Sequence, residues 1–307
     1  MLQIFFLGLI GFILARKKAL SREGIAGLTL FLIGVTFPSL IFWQIITKFS
    51  FTLYPDWWIF SLASLVITAL GLSAGFLFSQ SLKDAQEKRE FISLVGFQNS
   101  GYLPLALLGW LLPKGQLNVM LIYLFLFLLG FNLVIWSWGV YFLSARKLKH
   151  FSLGSLFSPP VIATLLGFAF ISLKINWLIP KFILSPLEML GNCSFPLAMI
   201  VVGATLAELA PAKPLDKNII LKLILAKLVA LPLLGLLFLN YFKLPYLMGL
   251  LIILELAMPS ANSLAVIVKR YSQEERIISQ GILITHIVSL LTLPVFLALL
   301  NGVVFRP

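Results

Sequence analysis

The sequence predicts an all-α polytopic membrane protein of ten transmembrane helices, arranged as two inverted five-helix repeats in which helices 4 and 9 are broken. Three observations lead to this fold class. Of the 307 residues, 60% are hydrophobic and 11% are charged, whereas a soluble surface needs far more polar residues. The apolar residues fall into ten runs of about the length that spans a bilayer. The fourth and ninth runs each carry a proline and small polar residues near the middle.

The ten helices follow from the charge and turn clusters that separate the apolar runs. The first run ends at Arg16-Lys17-Lys18, whereas a signal peptide carries its positive charges before the apolar region, so we expect a retained first helix. The single cysteine excludes an intramolecular disulfide. The predicted helices cover residues 1–15, 24–47, 57–78, 91–112, 117–143, 159–173, 181–207, 219–240, 245–268 and 277–301.

Lysine and arginine residues predict the orientation in the membrane. One set of alternate loops holds about three times as many of them as the other set, and basic residues concentrate in cytoplasmic loops. The bias places both termini outside, in a protein that we expect to cross the cell inner membrane many times. The net charge of +12 is therefore an orientation signal, and no nucleic-acid partner is expected. Lys222 and Lys227, in the eighth run, are expected either to snorkel toward its inner end or to form a local ion pair.

The two halves of the chain share features at a common offset. Phe37-Pro38 in helix 2 and Phe195-Pro196 in helix 7 are 158 positions apart, and the same offset carries the break of helix 4 onto that of helix 9. Because each half holds an odd number of helices, the two halves must have opposite orientations in the membrane. We therefore predict a first repeat over 1–150 (helices 1–5) and a second over 151–307 (helices 6–10), with Pro38 and Pro196 as further helix breaks.

The break in helix 4 is predicted at Asn99-Ser100-Gly101, just before Pro104. Proline removes a backbone donor and clashes with the preceding turn, while glycine adopts torsion angles that other residues avoid. The half-helix after the break directs its unpaired N–H groups, and the positive end of its dipole, toward the break, which favours an anion. Asn99 and Ser100 add hydrogen-bond donors without bringing a charge into the bilayer.

The break in helix 9 repeats this pattern with Pro259, Ser260 and Asn262. In one helix, a proline kink whose polar residues only satisfy the local backbone would be the simpler explanation. Recurrence in both halves instead favours a transporter's substrate site for a carboxylate. The expected substrate-binding residues are Asn99, Ser100, Gly101, Pro104, Pro259, Ser260 and Asn262.

Ionisable residues inside the predicted helices are candidates for coupling transport to an ion gradient. Glu255 lies one turn before Pro259, where it either binds a proton or sodium ion or pairs with a helix N-terminus. His286 either titrates or is a hydrogen-bonded packing residue. Gln98, beside the first break, is grouped with these two as a coupling residue.

Enzymatic chemistry has no support in the sequence. It contains no phosphate-binding glycine loop with lysine, no HExxH motif and no nucleophile elbow. We therefore expect no catalytic residue, no metal and no cofactor beyond a coupling proton or sodium ion. The expected partners are a small organic anion and the lipid bilayer, and the sequence leaves open whether two copies form a homodimer.

The two broken segments also carry a family resemblance. The stretch Gln98–Leu105 (QNSGYLPL) resembles the segment-4 motif of the auxin efflux carrier family, and Ala257–Asn262 (AMPSAN), with Thr292-Leu293-Pro294, looks like its segments 9 and 10. The resemblance covers nearly the whole chain, which lacks the long cytoplasmic loop of the plant hormone exporters and so looks like a short-loop, prokaryotic-type member.

The resemblance implies broken helices 4 and 9 that cross, and scaffold and transport subdomains, each formed from both repeats, that move in an elevator-like cycle. It further implies transport of small organic anions, auxin-like or other carboxylates, contacted by Asn99 and by the backbone beside Pro104 and Pro259. Glu255 departs from the family pattern and resembles the acidic cation ligand of the sodium–bile acid symporters. A sodium-coupled organic acid symporter is therefore one alternative, and a membrane receptor for an organic anion is another.

Overall fold

The structure is a computed structural model that describes residues 2–144, 156–209, 216–271 and 276–304. Within these residues every regular element is a helix. In chain order the α-helices are α1 (Leu2–Arg16), α2 (Arg22–Phe31), α3 (Phe37–Lys48), α4 (Trp57–Phe78), α5 (Ala85–Gly96), α6 (Tyr102–Leu111), α7 (Lys114–Val134), α8 (Val140–Leu143), α9 (Pro159–Ser172), α10 (Lys181–Asn192), α11 (Ser194–Glu208), α12 (Lys217–Ile224), α13 (Leu231–Tyr241), α14 (Tyr246–Ala257), α15 (Ser263–Tyr271) and α16 (Arg276–Val304).

Six helical spans in the described residues are long and apolar enough to cross a membrane. They are Arg22–Lys48, Trp57–Phe78, Lys114–Leu143, Lys181–Glu208, Lys217–Tyr241 and Ile277–Gly302. Shorter apolar helices cover Phe6–Arg16, Tyr102–Leu111, Pro159–Ser172 and Tyr246–Ala257. These spans fit a polytopic all-helical membrane protein, while the count of ten transmembrane helices and the inverted repeat stay predictions.

Polar side chains fix the start of several helices outside the apolar spans. Ser21 accepts a hydrogen bond from the backbone N–H of Gly24 at the start of α2. Asp84 accepts two, from Gln86 and Glu87, at the start of α5. Such caps satisfy N–H groups that have no partner within the first turn of a helix.

The two prolines predicted as breaks in helices 2 and 7 follow local irregularities. Pro38 lies at the start of α3, directly after the π-helical turn Leu32–Thr36, and the span continues from Arg22 to Lys48. Proline has no N–H to donate, and the π-helical turn changes the backbone hydrogen-bond pattern just before it. Pro196 is the third residue of α11, just after α10 ends at Asn192. Neither proline is followed by an extended segment like those described below.

The first of two compact units comprises Met1–Leu62, Gly101–Leu133 and Ser152–Glu208. Its helices α1 and α11 touch backbone to backbone, because a Cβ atom built on Gly203 would lie 1.8 Å from the carbonyl oxygen of Gly8. Small residues permit this close approach of membrane helices. Ser194 donates a hydrogen bond to Thr36 over 2.9 Å, and these residues are separated by the same 158 positions that relate the two Phe-Pro pairs.

The second unit comprises Ala63–Ser100, Val134–Phe151 and Leu209–Pro307. Its long helix α16 packs against α5, α13 and α14. Close packing again uses glycine, since a Cβ atom on Gly281 would lie 2.3 Å from a methyl group of Leu94. Each unit therefore takes segments from both halves of the chain, and the second contains both the end of α5 and the end of α14.

Candidate functional site

Two extended segments pair within the second unit, where predicted helices 4 and 9 are interrupted. The first follows the end of α5 at Gly96, and the second joins α14 to α15. Gln98 and Ser260 form an isolated antiparallel β-bridge. Around it, the N–H of Asn99 donates to the carbonyl of Pro259 (2.8 Å) and the N–H of Ala261 to that of Phe97 (3.0 Å). An unpaired peptide group costs several kcal/mol in a bilayer, so this pairing stabilises both interruptions.

A side chain of α16 and a backbone carbonyl of α5 hold the second segment in place. The backbone N–H of Ser260 donates to the hydroxyl of Thr285 (3.2 Å), and the Ser260 hydroxyl donates to the carbonyl of Leu94 (2.7 Å). The Thr285 hydroxyl donates in turn to the carbonyl of Gly281 (2.8 Å). Ser260, predicted to bind substrate, therefore already uses its hydroxyl hydrogen to join the break to the end of α5.

Asn99 and His286, predicted for substrate and coupling respectively, are brought together. Nδ1 of His286 lies 2.9 Å from the carbonyl oxygen of Ile282, and a carbonyl only accepts, so Nδ1 carries the hydrogen. In the neutral ring Nε2 is then an acceptor. The amide nitrogen of Asn99 lies 3.1 Å from Nε2 and is therefore the donor. Asn99 uses one amide hydrogen in this bond and retains the other.

Glu255 lies in the last turn of α14 with none of its side chain exposed. Neither carboxylate oxygen has a hydrogen-bond partner of normal geometry, and the same holds for Nε2 of Gln98 and Oδ1 of Asn262, which are also buried. The side chains of Ser100 and Gln98 lie next to the carboxylate and interact with it electrostatically. Buried polar atoms are nearly always paired, so these atoms are the candidates for contact with a further group.

Lys227 corrects a prediction from the sequence. The expectation that it snorkels is wrong, because only 1% of it is exposed and its ammonium donates to the carbonyl of Val95 over 2.8 Å. Glu255 is the charged group that acts on it. Its neighbour Lys222 instead reaches the exposed hydroxyl of Ser81. The sequence did contain a sign of this role, because Lys227 lies ten residues after the start of the Lys217–Tyr241 span. Ionisable residues this deep in a membrane helix usually have a functional partner.

The remaining predicted residues lie beside α6 in the first unit. Gly101 precedes α6 with φ −100°, an ordinary value, so the conformational freedom of glycine is not needed there. Pro104 is the third residue of α6, in the first turn, where a backbone N–H would have no acceptor within the helix. The missing N–H of proline therefore removes no helical hydrogen bond there. The break thus covers residues 97–101, which include the predicted Asn99-Ser100-Gly101. Across the described residues, no group of three or more His, Cys, Asp and Glu side chains is arranged to hold a metal ion.

Comparison with known proteins identifies the family. A family model described as membrane transport protein matches residues 1–151 and again residues 144–297. A comparison with curated proteins gives no match. The two matched segments together span most of the chain, and they include both interrupted helices and the residues that carry the resemblance noted from the sequence. The chain belongs to the auxin efflux carrier family of membrane transport proteins and is a membrane transporter.

Proposed function

We propose that the protein is a secondary transporter of small organic anions, active or facilitative, and that auxin-like or other carboxylates are its substrates. The observation that carries this proposal is the pairing of the two breaks, beside which the amide side chains of Asn99 and Asn262 are buried. Interrupted helices persist in a bilayer only where protein or a water-filled cavity covers their peptide groups. Transporters use such interruptions to hold substrate.

The chemistry of the breaks suits a carboxylate. Asn99 has an amide hydrogen beyond the one it donates to His286. The helix α15 begins at Ser263, and the positive end of its dipole points back toward the second break. These donors attract an anion without a fixed charge. We propose that Asn99, Ser100 and Asn262 bind the carboxylate, and that Pro259 and Ser260 shape the backbone around it.

Alternating access of the elevator type is the mechanism we propose. Each compact unit draws on both halves of the chain, which supports scaffold and transport subdomains that are each built from both repeats. In this scheme the unit that contains Asn99 and Glu255 carries the substrate. The proposed setting is the cell inner membrane, with both termini outside.

A second candidate is sodium-coupled symport of an organic acid through Glu255 and Gln98. The observation in its favour is the pair of unpartnered carboxylate oxygens of Glu255, which lie next to the paired breaks. Oxygen atoms at interrupted helices are the groups that coordinate sodium in secondary transporters. The two candidates differ in one measurable property, since only the second requires sodium for transport.

The test is charge movement by purified protein in proteoliposomes. A panel of carboxylates and aromatic organic acids is applied with sodium chloride, and then with choline chloride. Currents evoked by an acid in both salts support the proposed carrier, currents only with sodium support the second candidate, and binding without currents or tracer flux contradicts both.

The matched variants are Asn99→Ala and Asn240→Ala. Asn99→Ala is expected to lose transport while the protein still folds, because backbone atoms make the bonds between the breaks. Asn240 is exposed at the end of α13, so Asn240→Ala is expected to transport normally. Unchanged affinity and flux in Asn99→Ala would contradict the assignment of the substrate site.

A further inference from the structure

The end of α5 and the end of α14 create a region of negative potential in the second unit. The last carbonyl groups of a helix have no helical partners and carry the negative end of its dipole. The carbonyls of Leu94 and Val95 belong to the end of α5, while Glu255 adds a carboxylate in the last turn of α14. Glu255 is completely buried. A buried negative group of this kind is stable only with a compensating positive one.

Lys227 brings a positive charge into this region. It lies in the π-helical turn Leu225–Ala230, between α12 and α13. Such turns change the direction of the side chains that follow and are frequent at functional sites. The ammonium donates to the carbonyl of Val95, so it caps the C-terminal end of α5 as a bound cation would. The π-helical turn packs against both α5 and α14, and Glu255 and Lys227 act on each other electrostatically.

The two charges are not in direct contact. In the part of the chain that the structure describes, no ion pair with nitrogen and oxygen within 4.0 Å joins Lys227 to Glu255. The carboxylate oxygens of Glu255 make no hydrogen bond of normal geometry, although the side chains of Ser100 and Gln98 lie close to them. The carboxylate of Glu255 and the carbonyl of Val95 supply oxygen atoms at helix ends, the kind of ligand that holds sodium in transporters with interrupted helices.

We propose that the ammonium of Lys227 is a tethered cation that substitutes for a bound sodium ion at Glu255, and that loss of Lys227 turns this group into a sodium site. The ligands of that site are the carboxylate of Glu255 and the carbonyl oxygen of Val95. The intact protein then needs no sodium, which favours the first of the two candidate functions. Only this last statement, on the sodium requirement of transport, rests on the proposed function. Binding of sodium itself is measured without any substrate.

Thermal unfolding of the purified protein tests the proposal. The unfolding temperature is compared in sodium chloride and in choline chloride of equal ionic strength, without any organic acid. The intact protein is expected to unfold at the same temperature in both salts. Lys227→Ala is expected to unfold several degrees lower in choline, and sodium is expected to restore a shift of roughly 5 °C, as a ligand that binds the native state does.

Two further variants complete the experiment. Lys222→Ala removes a lysine of the same span that reaches Ser81, and it is expected to gain no response to sodium. Lys227→Ala/Glu255→Gln removes both charges, so it is expected to fold and to ignore sodium. If Lys227→Ala alone does not fold, the double variant must recover folding, because the uncompensated carboxylate is then gone.

Three results would overturn the proposal. One is stabilisation of the intact protein by sodium, the second is a folded Lys227→Ala variant that does not respond to sodium, and the third is failure of the double variant to fold. Flux measurements keep this separate from the proposed function. Sodium binding by Lys227→Ala without any flux of organic acids in the intact protein would support the tethered cation and contradict the anion carrier.

Discussion

His286 accepts a hydrogen bond from Asn99 over 3.1 Å, although 187 positions separate the two residues in the chain. The carbonyl of Ile282 fixes the hydrogen on Nδ1, so the acceptor Nε2 faces the amide nitrogen of Asn99. Both side chains are buried. His286 therefore orients the amide of Asn99 and is a positioning residue for the proposed substrate site.

Replacing His286 tests this role. His286→Ala is expected to raise the KM for an organic acid about tenfold, because a free Asn99 amide must be ordered by the substrate itself. His286→Gln offers both an acceptor and a donor, so it is expected to retain most of the affinity. The measurement is concentration-dependent flux in proteoliposomes at matched protein content. Equal KM values for the alanine and glutamine variants would contradict a positioning role.

Glu255 is expected to connect transport to an ion gradient. If Lys227 supplies the positive charge, the coupling ion is a proton, and Glu255→Gln is expected to make flux insensitive to an imposed proton gradient. The measurement is tracer uptake with and without such a gradient. Glu188→Gln is the control, since Glu188 is an exposed glutamate of α10. Should Glu255→Gln fail to fold, a structural role for the carboxylate is the better explanation.

The apolar runs and prolines were enough to predict the positions of the helices and breaks. Predicted helix 4 covers the second half of α5 and all of α6, and predicted helix 9 covers α14 and most of α15. Local sequence determines these features, because helix length and the missing N–H of proline are properties of a short stretch. The contact of His286 with Asn99 is different, since no local pattern specifies which distant side chains meet.

Lys227 is a second residue whose distant partner the local sequence does not specify. Its position in the chain is compatible with snorkelling, and only the π-helical turn and the packing of the second unit direct it toward Val95. Ser260 also differs from its sequence-based interpretation, because its hydroxyl donates to Leu94. Polar residues at a break serve the backbone or a ligand, and residue type alone does not distinguish the two roles.

The glycine contact between α1 and α11 is expected to control the stability of the first unit. Gly203→Ala would place a methyl group 1.8 Å from the backbone oxygen of Gly8, which a side-chain rotation cannot relieve. We expect a loss of about 3 kcal/mol in the free energy of unfolding, the upper part of the range for overpacking. Gly27→Ala is the control. Nothing lies within 4 Å of its new Cβ atom, and alanine in a helix is expected to add about 0.5–1 kcal/mol. Equal stabilities of the two variants in detergent would contradict the close contact.

Thr285 is expected to stabilise the second break through its hydroxyl group. Thr285→Val keeps the shape of the side chain but leaves the N–H of Ser260 without its acceptor. A buried donor without a partner costs about 1–3 kcal/mol, so the variant is expected to unfold more easily by that amount. Thr285→Ser retains the hydroxyl, so its free energy of unfolding is expected to lie within about 1 kcal/mol of that of the original protein. That difference corresponds to the one methyl group that serine lacks. Hydrogen exchange at the Ser260 amide separates the two cases, because faster exchange is expected in the valine variant and not in the serine variant. Similar exchange in both would mean that the hydroxyl of Thr285 does not hold the break.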